Sequence, residues 1–254
     1  MKRVELFSCP MDIATMDETV DWIGSRIERN QFTQHVVVNV AKLVYMQADA
    51  ELAASVRACD IVNIDGMGVV WGARLLGIPV RERVAGVDLF ERLLQMSAQR
   101  SLPVFLLGAT DAVVARAAAV VLARYPGLQI AGHHHGYFWD DEEAVVEMIR
   151  GSGARLLFVA ITSPKKETFI NRWKDRLGVD FVMGVGGTFD VVAGKVRRAP
   201  PWMQRNGVEW AYRVAQEPRR MWKRYFITNN RFALMLIKAR IALAVRRLAG
   251  GHGK

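Results

Sequence analysis

The sequence predicts an α/β fold in which a Rossmann-like parallel sheet carries helices on both faces and is followed by a basic helical appendage. From residue 35 onward, short runs of Val, Ile and Leu alternate with longer segments of helical period. Each run is continuously apolar, as expected for strands that are buried on both faces of a sheet. Beyond Gly194 this pattern gives way to a segment rich in Arg, Trp and Tyr.

The elements follow from these patterns in chain order. Strands are predicted at 35–39, 60–64, 103–107, 154–160 and 179–185. Helices are predicted at 16–29, 41–57, 67–76, 88–99, 111–124, 141–150 and 164–177. Residues 1–194 are therefore expected to form an α/β domain, and residues 195–254 a basic, amphipathic helical appendage.

Polar residues or glycines follow all five predicted strands. They are Asn39, Asp65-Gly66, Gly108-Ala109-Thr110, Thr162-Ser163-Pro164 and Gly186-Gly187-Thr188. Ligands of open parallel sheets bind at the carboxyl ends of the strands, where helix N-termini present free N–H groups. We expect the five ends to line one crevice.

The positive charge of the chain belongs to its last sixty residues. Between 195 and 254 lie 15 of the 35 basic residues but only 2 of the 25 acidic ones, giving that segment +13 and the remaining 194 residues −3. Such segregation indicates an anionic partner for the appendage. On a helical wheel of 219–226, the four basic residues occupy one arc and Met221, Trp222, Tyr225 and Phe226 the other, with Pro218 suited to the first turn.

The cellular setting is also constrained. Only two cysteines occur, and the first residues lack the apolar core of a secretory signal peptide. Arg116 interrupts the Ala/Val stretch, and Lys238 and Arg240 interrupt the C-terminal one, so no run is long enough to span a bilayer. These features favour a cytoplasmic protein that lies on a membrane surface.

Asp65 is the first candidate for chemistry. It follows an apolar strand and precedes Gly66, so its carboxylate is expected at the mouth of the crevice, where a general base could reach a substrate hydroxyl. The alternative is that Asp65 caps the helix beginning near Met67. Position alone favours the cap.

The segment 184–190 has the spacing of a dinucleotide fingerprint, except that Phe189 replaces the third glycine. This weakens the case for a nicotinamide cofactor. The segment either approaches a nucleotide closely or forms a tight turn in which Thr188 or Asp190 caps the next helix.

No metal site is predicted. An Asp-x-Asp pair follows none of the strands, and the consecutive His133, His134 and His135 are interpreted as a polar loop beside Gly136. If the substrate carries a diphosphate leaving group, its negative charge would, without a metal ion, have to be offset by helix N-termini and arginines. The candidates are Arg83, Arg213, Arg220 and Arg224, for each of which a solvated surface charge is the alternative.

These motifs together resemble the WecG/TagA/CpsF glycosyltransferases (glycosyltransferase family 26). In order, the matching segments are residues 63–71, 83–90, 105–108, 125–128, 136–138, 163–167, 184–190, 194–200, 209–213 and 216–220. They run from Asn-Ile-Asp-Gly-Met-Gly around Asp65, through Ser-Pro-Lys-Lys-Glu, to Gln-Glu-Pro-Arg-Arg.

The resemblance implies an inverting, metal-independent transfer from a UDP-sugar to a polyprenyl-diphosphate-linked sugar at the inner face of the cell membrane, in cell-surface polysaccharide synthesis. Donors carrying N-acetylmannosamine, its uronic acid or glucose are expected, with no cofactor. Asp65 is the implied base. The implied donor and active-site residues are Asn39, Gly66, Arg83, Gly108, Gly136, Tyr137, Lys166, Glu167, Gly186 and Asp190. Arg213, Arg220, Lys223 and Arg224 are implied to engage the acceptor diphosphate or the membrane.

Two positions depart from the family pattern. Val37 stands where Thr is common, and Lys166 where Gln is common. The first removes a hydroxyl near the expected sugar pocket and the second adds a cation, which would suit an acidic sugar or a phosphate.

Two other functions fit the sequence less well. The incomplete glycine fingerprint and the absence of a downstream ribose-binding acid disfavour a nicotinamide-dependent sugar oxidoreductase. A nucleic-acid-binding module would use the basic, aromatic appendage but leaves the crevice residues without a role, so no nucleic-acid partner is expected.

Overall fold

A six-stranded parallel sheet forms the centre of the computed structural model, which describes residues 1–250 except for the side chains of residues 205, 220 and 246–250. The strands are β1 (Lys2–Leu6), β2 (Cys9–Ile13), β3 (Thr33–Val38), β4 (Ile61–Ile64), β5 (Val104–Gly108), β6 (Ile130–His134), β7 (Leu156–Ala160) and β8 (Phe181–Gly184). The order in the sheet is β4-β3-β8-β7-β5-β6. This confirms the predicted fold class.

The helices cover both faces of this sheet. They are α1 (Met16–Glu28), α2 (Val40–Tyr45), α3 (Ala50–Arg57), α4 (Met67–Leu75), α5 (Gly86–Gln99), α6 (Asp111–Arg124), α7 (Glu142–Gly151), α8 (Lys165–Trp173), α9 (Thr188–Val192), α10 (Pro201–Arg205), α11 (Glu209–Gln216) and α12 (Pro218–Gly250). The single helix predicted over 41–57 is wrong. It is divided because Asp49 starts a new helix by accepting the N–H of Leu52 at 2.9 Å.

The five predicted strands correspond to β3, β4, β5, β7 and β8, whereas β1, β2 and β6 were missed. β1 and β2 form an antiparallel hairpin whose short strands mix charged and apolar residues. β6 lies at the sheet edge and includes His133 and His134, so the interpretation of these histidines as a loop is wrong. An edge strand is exposed to water and does not need the continuous apolar run that a central strand shows.

The appendage shares the hydrophobic core of the α/β domain. In α12, Met221, Thr228 and Phe232 are buried, and the Phe232 ring packs edge-on against Phe7 of the hairpin with centroids 5.9 Å apart. α12 begins at Pro218, as expected. The division of the chain at residue 194 remains a prediction.

The apolar arc predicted for 219–226 is split in the structure. Met221 faces the α/β domain, whereas Trp222 and Phe226 are 55% and 65% exposed. The wheel placed them together because it cannot show which part of an apolar arc contacts the domain. Among the described residues, α12 and the other helices are too short or too polar to cross a bilayer.

Candidate active site

A pocket of about 580 Å³ lies where β3 and β4 end and is covered by α11 and α12. It gathers Asn39, Asp65 and Gly66 from the sheet edge with Arg83, Arg213 and Arg224. The expectation that all five strand ends line one crevice is therefore not met by this pocket. The ends of β5, β7 and β8 lie further along the same edge, because the sheet order places β4 at its margin.

Asp65 lies at the centre of this arrangement. Its backbone N–H donates to Val38 O at 2.9 Å, and its carboxylate accepts the backbone N–H of Gly86, in the first turn of α5. The alternative role as a helix cap is wrong. The N-cap of α4 is Gly66, and no side chain caps that helix.

The protonation of Asp65 reflects two opposing effects. Burial raises the pKa of its carboxyl group to about 6, while the charges of Arg83 and Arg213 and the N–H of Gly86 pull that pKa down. Burial has the larger effect. The carboxylate is therefore ionised near neutral pH but is more basic than an exposed aspartate, as a general base requires.

Arg83, Glu209 and Arg213 form a charged chain above Asp65. The Glu209 carboxylate lies 3.3 Å from Arg83 Nη1 and 3.2 Å from Arg213 Nη2. Arg224 lines the same pocket and has its guanidinium carbon 6.0 Å from the centre of the Tyr225 ring. Of the three arginines that line the pocket among the described side chains, the appendage thus contributes two.

Two further residues of the appendage were predicted to belong to the site. Lys223 is exposed on α12 and does not line the pocket. The side chain of Arg220 lies outside the described residues, so the prediction made for it stays a prediction.

Asn39 and Gly66 lie side by side in the pocket wall. Asn39 caps α2 by accepting the N–H of Lys42 at 3.0 Å. A Cβ on Gly66 would lie 3.4 Å from Asn39 Cβ, in ordinary van der Waals contact, so the two strand ends are direct neighbours. The hydrogen bond from Lys42 N–H to Asn39 Oδ1 holds the Asn39 side chain in a fixed orientation at the pocket edge.

Lys166 and Glu167 belong to a buried cluster behind the pocket. Glu167 Oε1 lies 2.6 Å from Lys166 Nζ and 2.8 Å from Lys42 Nζ, and all three side chains are buried. Burial disfavours ionisation of Glu167, but the two ammonium groups outweigh it and hold the pKa of the carboxyl group at about 2. Burial, aided by the charge of Lys42, lowers the pKa of Lys166 to about 8.

The cluster lies close to Val37. Lys42 Nζ also donates to Val37 O at 2.7 Å, and a Cβ on Gly86 would lie 3.4 Å from a Val37 methyl carbon and 3.8 Å from Asp65 Oδ2. Val37 therefore lies between the carboxylate of Asp65 and the lysine cluster. The two departures from the family pattern fall in one region of the structure.

Gly108, Gly136 and Tyr137 lie towards the opposite side of the sheet. Gly136 N donates to Ala109 O at 2.9 Å, and a Cβ on Gly136 would lie 3.1 Å from Gly108 Cα. Tyr137 is 69% exposed beside them. With strands spaced about 4.8 Å apart, the ends of β4 and β5 are roughly 19 Å from one another along the edge, so only an extended ligand would contact both regions.

Gly186 and Asp190 follow β8, between these two regions. Gly186 has φ +55°, and Asp190 is paired with Lys195 at 3.3 Å. The expectation that Thr188 or Asp190 caps α9 is wrong, because Gly187 is the N-cap and Thr188 Oγ1 donates to Val185 O. The segment forms a turn without a side-chain cap, and its close approach to a nucleotide stays a prediction.

The sequence interpretation missed Lys42 and Glu209 as residues of the site. Glu209 was recognisable only as an i,i+4 partner of Arg213, and nothing in the sequence places it near Arg83, which lies 126 residues away. Among the described residues, no group of three or more His, Cys, Asp or Glu side chains is placed to hold a metal ion. The arrangement combines a half-buried carboxylate with nearby cations, which suits proton removal next to an anionic substrate.

Comparison with known proteins gives a consistent result. The sequence matches the model of the family described as "Glycosyl transferase WecG/TagA/CpsF family" over residues 4–246. A Bacillus spizizenii (strain W23) protein named N-acetylglucosaminyldiphosphoundecaprenol N-acetyl-beta-D-mannosaminyltransferase is 38% identical over 171 residues, covering 67% of this chain and 66% of the relative. A Bacillus subtilis (strain 168) protein of the same name is 36% identical over 174 residues, covering 68% and 67%.

Proposed function

The chain belongs to the WecG/TagA/CpsF family of glycosyltransferases, and we propose that it transfers a sugar from a UDP-linked donor to a sugar carried on a polyprenyl diphosphate. The names of the two Bacillus relatives describe transfer of N-acetylmannosamine to N-acetylglucosaminyldiphosphoundecaprenol. The observation that carries the proposal is the half-buried carboxylate of Asp65 in a pocket that also holds Arg83, Arg213 and Arg224.

The proposed reaction is a single displacement. The Asp65 carboxylate takes the proton of the acceptor hydroxyl, and the hydroxyl oxygen attacks the anomeric carbon of the donor sugar. The bond from that carbon to the UDP oxygen breaks, and UDP leaves with inversion at the anomeric centre. The carboxylic acid left on Asp65 then loses its proton to water.

The negative charges of the UDP diphosphate and of the acceptor diphosphate are stabilised by two sets of groups. Arg83, Arg213 and Arg224 are placed to bind phosphate oxygens near Asp65, with Glu209 holding the first two in position. The N-terminus of the 14-residue α6 follows Gly108 and provides N–H groups on the donor side. In this proposal the nucleotide extends from the Asp65 pocket past Gly186 and Asp190 towards Gly136 and Tyr137.

The donor sugar is proposed to be N-acetylmannosamine, its uronic acid or glucose. The region around Val37 and Lys166 is where this chain departs from the family pattern, and it lies behind the carboxylate of Asp65. Because Lys42 and Lys166 share a single carboxylate, the cluster retains a surplus positive charge when both are protonated. That charge favours an acidic donor sugar.

Membrane attachment through α12 is the second part of the proposal. Among the described side chains of this helix, seven large apolar ones are exposed and fall within about 140° of its circumference at roughly 100° per residue; they form the outer face, Trp222, Phe226, Ile227, Leu234, Ile237, Ile241 and Val245. Basic residues, including Arg219, Lys223 and Lys238, are exposed on the same helix. This combination suits a helix that lies on an anionic bilayer, at the inner face of the cell membrane.

A transfer assay tests the function. Radiolabelled UDP-sugars are offered with N-acetylglucosaminyl-diphosphate-prenol, and the Asp65→Asn variant is compared with wild type and with Asp21→Asn, which alters an exposed carboxylate on α1. We expect Asp65→Asn to lose at least about 10²-fold in turnover while binding UDP normally, and Asp21→Asn to match wild type. Substantial turnover by Asp65→Asn would exclude its role as the base, and wild-type inactivity with every UDP-sugar would exclude the function.

A further inference from the structure

The pocket around Asp65 extends into an apolar trough between α4 and α12. Its α4 wall contains Trp71, Gly72 and Leu75, and its α12 wall contains Phe232, Ala233 and Leu236. We call these six residues the α4–α12 trough. The reaction proposed above needs only the polar end of the pocket, so the trough requires a separate explanation.

The charged side chains that line this pocket lie towards Asp65, whereas the six trough residues line α4 and α12 beyond them. Arg83 and Arg213 lie at the Asp65 end, where they lower the pKa of that carboxyl group. At the far end, Arg240 Nη1 donates to Leu75 O at 3.2 Å and so joins α12 to the last turn of α4. A ligand that fills the pocket must therefore have an anionic head and an apolar tail.

Close packing fixes the width of the trough. A Cβ on Gly72 would lie 2.8 Å from Phe232 Cζ and 3.1 Å from Leu236 Cδ2, so glycine is what allows α12 to lie this close to α4. The trough walls are consequently held by the core contacts of Phe232. The apolar surface exists before any ligand binds.

The trough opens towards the surface that is proposed to face the membrane. Trp71 and Leu75 are each 50% exposed, and Ile237, which follows the trough residue Leu236 on α12, is 55% exposed. An apolar chain leaving the trough would thus emerge at the protein surface beside α12. An apolar path therefore leads from the bilayer surface to the pocket of Asp65.

We propose that the α4–α12 trough binds the first isoprene units of the acceptor lipid, those next to its diphosphate. This inference rests on the proposed function, because it assumes that the acceptor is a polyprenyl diphosphate. The diphosphate lies among the arginines and the first part of the branched chain lies against Trp71, Leu75 and Leu236. At about 580 Å³ the pocket has the size of a site for a small ligand, so the remainder of a long chain stays in the bilayer.

Binding of farnesyl diphosphate in detergent-free buffer tests the trough without requiring catalysis. Calorimetry compares farnesyl diphosphate with methyl diphosphate on wild type, Leu75→Ser and Ala233→Trp, the last of which fills the trough. Leu122→Ser on α6 is the matched control, since Leu122 is 45% exposed and does not line the pocket. We expect farnesyl diphosphate to bind wild type at least about tenfold more tightly, and both trough variants to lose about tenfold for this ligand alone.

The outcomes separate this inference from the proposed function. Equal affinity of wild type for the two diphosphates, or equal losses for both ligands in the trough variants, would overturn the trough as a prenyl site even if the enzyme transfers sugar. Prenyl-dependent binding that is sensitive to Leu75→Ser but not to Leu122→Ser supports it. If such binding occurs but no UDP-sugar is transferred, the trough stands and the proposed reaction fails.

Discussion

Arg83 and Glu209 form an ion pair of 3.3 Å that joins the loop before α5 to the first residue of α11. Both side chains are largely buried, with 16% and 17% exposure. Glu209 also contacts Arg213, so the appendage determines which charges surround Asp65. The protonation of the proposed base therefore depends on contacts between segments that are far apart in sequence.

The pH dependence of transfer is the first prediction. An aspartate acting as base must be ionised, and burial raises the pKa of Asp65 to about 6. We expect kcat/KM to rise about tenfold per pH unit below that value and to level off above it, in contrast to the break near pH 4 expected of an exposed aspartate. The rising, acidic part of this pH profile is called its acid limb. An acid limb that levels off near pH 4 would contradict the raised pKa of Asp65.

Stability measurements give an independent check of the same pKa. The folded-state pKa lies above the unfolded value, so the stability contributed by the protonated form is fully present below about pH 4 and is lost as pH rises through about 6. Asp65→Asn is expected to be more stable than wild type above pH 6, by at most about 3 kcal/mol, and equal to it below pH 4. Urea unfolding at both pH values measures the difference.

Opposite charge changes next to Asp65 make the second prediction. Arg83→Gln removes a cation that lowers the pKa of Asp65, so the acid limb should move to higher pH. Glu209→Gln removes an anion that raises this pKa, so the limb should move to lower pH. Each shift is expected to be about half a unit to one unit, and pH profiles of kcat/KM measure both. Shifts in the same direction would show that Asp65 does not control the limb.

The fold could be predicted from the sequence largely because buried parallel strands leave an unambiguous signal. Continuous apolar runs identified β3, β4, β5, β7 and β8: four of these lie inside the sheet, and β4, although at its edge, is fully buried. The same criterion failed for β6, an edge strand containing polar histidines. It also failed for the β1–β2 hairpin, whose five-residue strands mix charged and apolar residues.

The site was predictable only where it follows local pattern. Asp65 and Asn39 come directly after strands, and this position alone marked them as residues of the sheet edge. Glu209 and Lys42 could not be identified in this way, because their importance comes from partners 126 and 125 residues away. The order of the strands in the sequence also does not reveal that β4 lies at the edge of the sheet, far from the end of β5. For this reason all five strand ends were expected to line a single crevice.

The buried lysine cluster makes the third prediction. Glu167→Gln would leave Lys42 and Lys166 buried without their shared carboxylate, and we expect a loss of about 3–5 kcal/mol in the free energy of unfolding. Lys166→Gln preserves the 2.8 Å pair of Lys42 with Glu167, so its effect should be less than about 1 kcal/mol. Denaturant unfolding of the two variants compares them directly.

The same Lys166→Gln variant tests donor choice. Removing the surplus charge should reduce transfer from the uronic-acid donor relative to the neutral donors, by about tenfold in the ratio of kcat/KM. Competition between UDP-N-acetylmannosamine and its uronic acid measures that ratio. If the ratio is unchanged in a variant that remains folded, Lys166 does not select the donor.

The outer face of α12 makes the fourth prediction. Removing the appendage from residue 195 onward would also expose the core contacts of Met221 and Phe232, so loss of function in a truncated protein could reflect misfolding. A double substitution, Trp222→Ser with Phe226→Ser, alters only side chains that are already more than half exposed. We expect it to weaken binding to anionic vesicles at least about tenfold, because insertion of two aromatic side chains into the interface is lost.

Two controls connect that loss to the membrane rather than to the fold. Leu122→Ser should bind vesicles like wild type, and the double variant should turn over a short-chain, water-soluble acceptor at the wild-type rate, because the Asp65 pocket does not include Trp222 or Phe226. Sedimentation with vesicles and the soluble-acceptor assay are run on the same preparations. Unchanged sedimentation would contradict attachment through this face. Equal losses in both assays would show instead that the two aromatic residues stabilise α12 against the α/β domain.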